Sequence, residues 1–254
     1  MFALVLLAGV CAAVAVGFLG VFVLFRRMAL VGDALSHVAL PGLAVAIALG
    51  VDPIWGALAA LLAAAVGIFY ISRATRLYEE AIVGILFSLA LAGGVLLLKG
   101  RELEAALFGD LTSLSALDVW LTIGLSLAIG LATLALYRQL ALVSFSSDLA
   151  RANGVNVDRV SLLFFILLAL AVALGVKVVG TLLVGSLVII PAASGANLAR
   201  SLKVLTGLSI FFAVASVVLG LVVAHLSGLL PGPVIVLMEG ALFLVSLALK
   251  PLVA

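Results

Sequence analysis

Long apolar runs separated by short polar breaks fill this chain. They predict membrane spans over residues 2–25, 29–49, 54–71, 81–98, 118–137, 159–176, 178–192, 204–226 and 233–249. At 1.5 Å per residue, about 20 apolar residues cross the ~30 Å hydrocarbon layer of a bilayer. Most of these runs meet that length. The seventh is short and carries Gly180 and Gly185, which predicts a partial or broken helix, so eight or nine spans are expected. Between the fifth and sixth runs, the loop from Arg138 to Val157 contains Ser147-Asp148-Leu149-Ala150-Arg151-Ala152-Asn153-Gly154-Val155. A Ser or Asp cap, an Ala-rich middle and a terminal Gly154 predict one short helix there.

Composition agrees with the pattern. The 254 residues are 67% hydrophobic and 9% charged, with a mean hydropathy of +1.52. Soluble domains are about one quarter charged, so the expected class is an all-α polytopic membrane protein, one transmembrane domain over residues 1–254. The first run has no basic residue before it, and Arg26 and Arg27 follow it. That is the reverse of a signal peptide and predicts a retained span. Cys11 is the only cysteine, which excludes an internal disulfide and a thiolate metal cluster. A formal net charge of +2 gives no basis for a nucleic-acid partner. No G-x-x-x-x-G-K-[ST] phosphate loop occurs. If the chain acts in ATP-driven transport, the ATPase is a separate chain.

Charge then sets the expected orientation. With nine spans, one side receives Arg26, Arg27, Arg73, Arg76, Arg138, Arg151, Arg159, Arg200, Lys203 and Lys250, and the other only Lys99, Arg101 and Lys177. Ten against three places the N-terminus outside and the C-terminus in the cytoplasm. Asp52, Glu102, Glu104, Asp110 and Asp118 then fall on or near the outer face. They either draw cations there or belong to ordinary solvated loops.

Within the second run, Asp33 and His37 are four residues apart in Gly32-Asp33-Ala34-Leu35-Ser36-His37-Val38-Ala39-Leu40-Pro41. A carboxylate inside the bilayer costs about 2.5–3.5 kcal/mol on insertion scales, so it calls for a function. Residues i and i+4 share a helix face, which aims one oxygen and one nitrogen donor the same way. Such a pair suits zinc, manganese or iron. The pair lies about 9–15 Å past Arg27, near the depth at which transporters hold cargo. Pro41 cannot bond the His37 carbonyl, which predicts a kink at this point. A hydrogen-bonded Asp–His pair joining two helices is the other reading. His225, at the end of the eighth run, and Glu239, about 9 Å into the ninth, are two further ionisable residues in apolar sequence. Each is a candidate additional metal ligand or gate, and a Lys177–Glu239 pair is the competing account of Glu239.

The chain resembles the membrane permeases of bacterial metal-ion ABC importers, of the zinc and manganese type. The resemblance is carried in order by Arg26-Arg27-Met28-Ala29-Leu30 running into Gly32-Asp33-Ala34-Leu35-Ser36-His37, by Glu80-Ala81-Ile82-Val83-Gly84-Ile85-Leu86-Phe87-Ser88 and by Leu107-Phe108-Gly109-Asp110. It continues through Asp148-Leu149-Ala150-Arg151-Ala152-Asn153-Gly154-Val155, Val179-Gly180-Thr181-Leu182-Leu183-Val184, Ile189-Ile190-Pro191-Ala192-Ala193 and Pro231-Gly232-Pro233-Val234-Ile235-Val236. It implies a fold similar to vitamin-B12 and siderophore-type importers, in a bacterial plasma membrane. Two permease copies would sit on two ATPase subunits and receive cargo from an extracellular or periplasmic metal-binding protein. It further implies that Asp33 and His37 contact the metal. Residues 147–155, with Asp148, Leu149, Ala150, Arg151 and Gly154, match the coupling helix that seats in the ATPase. The transported ion would be Mn2+, Zn2+ or Fe2+, with Ser36-His37 and Leu40-Pro41 leaning to manganese, and no cofactor would stay bound. A proton-coupled secondary carrier using the same Asp–His pair is the alternative.

Overall fold

In a computed structural model, residues 2–75, 77–97, 116–179 and 184–253 are described. They form eleven helices: α1 (Phe2–Phe25), α2 (Val31–Ala48), α3 (Pro53–Ala74), α4 (Glu79–Leu97), α5 (Ala116–Ala135), α6 (Tyr137–Phe145), α7 (Ser147–Ala152), α8 (Val157–Val179), α9 (Val184–Leu198), α10 (Leu202–Ser227) and α11 (Pro231–Val253). Among the described residues, eight helices are long and apolar enough to cross a membrane, and α9 is a shorter apolar helix. The all-α polytopic class is as expected.

Local chemistry sets the helix ends. Asp52 caps α3 by accepting from Ile54 N at 3.0 Å, with Pro53 at the first position. That gives Asp52 a structural task at the helix start. Ser201 caps α10, which ends at Gly228 with φ +68°. The short loop helix is present as α7. Its cap is Ser146, one residue before the expected start, and Gly154 follows it with φ +75°.

Two boundaries differ from expectation. Residues 138–145, expected in the loop after the fifth run, form α6 together with Tyr137, held by the fully buried Leu140. The seventh span, expected at 178–192, is displaced. Residues 178–179 continue α8, and α9 runs on through Pro191 to Leu198. Ser194, Gly195 and Ala196 look like a break in sequence. In the bundle they are the small residues that let α9 meet α10, where Gly195 lies against Ser209 and Leu205.

α1 runs through the centre, packed on α5, α8, α9 and α10. α2 is clasped by α3 and α4 and also touches α9. Gly42 of α2 and Gly56 of α3 face each other so closely that a Cβ on either would overlap the other's carbonyl oxygen. Ser209 Oγ donates to Gly17 O at 2.6 Å, tying α10 to α1 inside the apolar core. Outward-facing leucines such as Leu121, Leu131, Leu237 and Leu244 are exposed, as a lipid-facing surface requires.

Candidate metal centre

α2 presents both predicted side chains on one face, and Pro41 does not interrupt the helix. His37 is buried, 7% exposed, with its ring edge-on to Phe87 of α4 at 5.0 Å. Its Nδ1 lies 2.9 Å from the main-chain oxygen of Asp33. A carbonyl only accepts, so Nδ1 is the donor in this contact, and in the neutral ring the lone pair is then on Nε2. Ser36 Oγ donates to the same oxygen at 2.8 Å and lies 3.5 Å from Nδ1. The other reading, an Asp–His hydrogen bond between side chains, is not the contact found here. The imidazole is fixed by the backbone of Asp33, and the carboxylate is left for another partner.

That partner is α9. The Asp33 carboxylate accepts from the main-chain N–H of Gly185, in the first turn of α9. A Cβ at Gly185 would overlap the Asp33 carboxylate, so only glycine admits this approach. Sequence reading named Gly185 as a breaker. Its contact with a residue 152 positions away left no sequence signal.

Glu239, on α11, is 1% exposed, and neither carboxylate oxygen completes a hydrogen bond of ordinary geometry. Ser186 of α9 is the side chain beside it. Two carboxylates, Asp33 from α2 and Glu239 from α11, thus address consecutive residues of one turn. The Lys177 side chain, the competing partner for Glu239, lies outside the described residues. So do Glu102, Glu104, Leu107-Phe108-Gly109-Asp110 and residues 180–183. His225 is set apart. It is exposed in the last turn of α10, its ring stacked on Phe2 at 4.3 Å. Among the described residues no three His, Cys, Asp or Glu side chains gather into a metal-holding group.

Asp148, Leu149 and Arg151 of α7 project outward, while Ala150 is fully buried and anchors the helix; Arg151 lies 4.0 Å from Asp148.

Comparison with known proteins covers nearly the whole chain. The ABC 3 transport family model matches residues 1–250. The manganese import system permease protein ScaB of Streptococcus gordonii is 34% identical over 250 residues, 97% of this chain and 90% of its own length. The high-affinity zinc uptake system membrane protein ZnuB of Haemophilus influenzae is 34% identical over 248 residues, 95% of each chain. Among solved structures, PsaBC from Streptococcus pneumoniae in complex with Fab superposes with a TM-score of 0.83 at 34% identity, covering 95% of this chain and 89% of that one.

Proposed function

The chain belongs to the ABC 3 transport family, and on that premise we propose that it is the permease through which an ATP-driven importer passes manganese, with zinc or iron as the other candidates. Relatives named for manganese and for zinc are equally similar, so the cargo follows from the donors: one carboxylate and one neutral imidazole suit all three ions. Asp33 and His37 are the ligands. The observation that carries this is the contact of His37 Nδ1 with the Asp33 main-chain oxygen, which leaves Nε2 of the neutral ring as the nitrogen able to bind a metal. Since each chain offers two donors, a second copy completes a four-coordinate site, and water completes a six-coordinate one.

ATP binding and hydrolysis belong to a separate pair of ATPase subunits, which α7 engages through Asp148, Leu149 and Arg151. A metal-binding protein delivers the ion to the face where the N-terminus lies, outside the cell, and the C-terminus is cytoplasmic. Glu239 is a second acid along the ion's route, beside the turn that holds Asp33. His225 marks the outer rim. The family match favours this over a proton-coupled carrier.

The test is cellular uptake of a manganese, zinc and iron panel, with the chain expressed beside its ATPase and binding protein. Asp33→Asn and His37→Ala are each expected to reduce uptake of one metal to background at matched protein levels. Uptake retained in both variants would assign the pair to structure and move the ligands to Glu239 and His225.

A further inference from the structure

The end of α1 bears an energetic oddity. Arg27 has φ +56°, the left-handed conformation in which a side chain is disfavoured and glycine is usual. Its N–H bonds Leu24 O and the Met28 N–H bonds Val23 O, the double closure that commonly carries glycine at this position. An arginine here carries a backbone cost that glycine would avoid.

That side chain lines a cavity of about 370 Å³ between the end of α1, the end of α3, the start of α4 and the α6–α7 junction. Arg26, Arg27, Arg73 and Arg151 border it against one carboxylate, Glu79. Arg26 is 6% exposed, lies over the Phe164 ring at 4.2 Å and reaches Ser161 Oγ at 3.4 Å, with Glu79 only at 4.0 Å. Arg73 pairs with Asp158 outside the wall. Burial lowers the Arg26 guanidinium pKa and Glu79 raises it again. Arg26 and Ser144 line this space, and among the described residues the buried Arg26 Nε and Ser144 Oγ complete no hydrogen bond. Buried donors without acceptors are uncommon in folded proteins, and here both stand in one cationic wall.

We propose that this cavity binds a phosphate-bearing anion, which ties α7 to α1 and α3. Guanidinium forks and a hydroxyl donor match phosphate oxygens. The cavity begins where the first and third spans end, at the level of lipid headgroups, where basic pockets between spans take anionic headgroups. Headgroup phosphate and free phosphate share this chemistry. The site stands whatever α7 engages.

The test uses the purified permease–ATPase complex in neutral detergent, following thermal unfolding with three probes: short-chain phosphatidylglycerol, short-chain phosphatidylcholine and inorganic phosphate. A saturable rise with phosphatidylglycerol alone identifies a lipid site, and a rise with inorganic phosphate as well identifies a site for the phosphate group itself. Arg27→Gly keeps the backbone conformation, so the fold survives while the charge is lost; the midpoint concentration should rise about tenfold or more, the scale of one charge-assisted bond. Ser144→Ala removes the second donor and should weaken the same midpoint. No saturable rise with any probe, an equal rise with phosphatidylcholine, or a rise unchanged in Arg27→Gly would overturn the proposal.

Discussion

At the scale of single residues, the centre depends on a division of labour within Asp33. Its main-chain oxygen holds the His37 ring and the Ser36 hydroxyl, while its carboxylate reaches across to the Gly185 amide. Gly185→Ala leaves both proposed ligands in the chain but drives a methyl group into that carboxylate. Metal uptake is expected to fall about tenfold or more at matched protein level, the usual cost of disturbing a group that orients a ligand. Uptake at the wild-type rate would mean that α9 gives way without consequence. Asp33 and His37 were legible in the sequence because an acid and an imidazole at i, i+4 stand out in apolar surroundings. Gly185 was not. One glycine among the 25 in the chain announces nothing until the fold brings α9 against α2.

At the scale of helices, length and hydropathy specify where the chain crosses the membrane, whereas packing specifies where a helix stops. α6 was missed because two polar residues at its start outweighed Leu140, whose burial only the tertiary structure reveals. The end of α9 was missed because small residues read as a break in water serve as contact surface between membrane helices. The α2–α3 contact at Gly42 and Gly56 makes this measurable. Gly42→Ala places a methyl group against the Gly56 carbonyl and the Ala60 side chain, and should destabilise the protein by about 1–3 kcal/mol. A thermal unfolding midpoint in detergent lowered by several degrees is the expected result. An unchanged midpoint would show that the two helices separate at little cost.

At the scale of the whole molecule, the charged groups sort into two sets with different work. Arg26, Arg27, Arg73 and Arg151 gather at the end of the bundle that bears α7, the end the positive-inside pattern assigns to the cytoplasm. Asp33 and Glu239 are enclosed by helices and face one turn of α9. The first set was visible as a count of charges, but the burial of Arg26 among aromatic rings was not. Glu239→Gln keeps the volume of the side chain and removes the charge. If the acid lies on the ion's route, uptake should fall about tenfold, equivalent to ~1.4 kcal/mol, while assembly with the ATPase is unchanged on size-exclusion chromatography. Unchanged uptake would take Glu239 off the route.

The contact between α9 and Asp33 bears on time as well as place. Gly185, in the first described turn of α9, offers its amide to the carboxylate inside the bundle. If Asp33 takes the ion as proposed, the ion competes with the Gly185 amide for the carboxylate. A hydrogen bond to a charged group is worth about 1.5–3 kcal/mol, so an amide that reclaims the oxygen would shorten the ion's dwell by roughly ten- to a hundredfold. On that reading the turn of backbone that steadies the empty carboxylate is also a clock on how long the cargo stays.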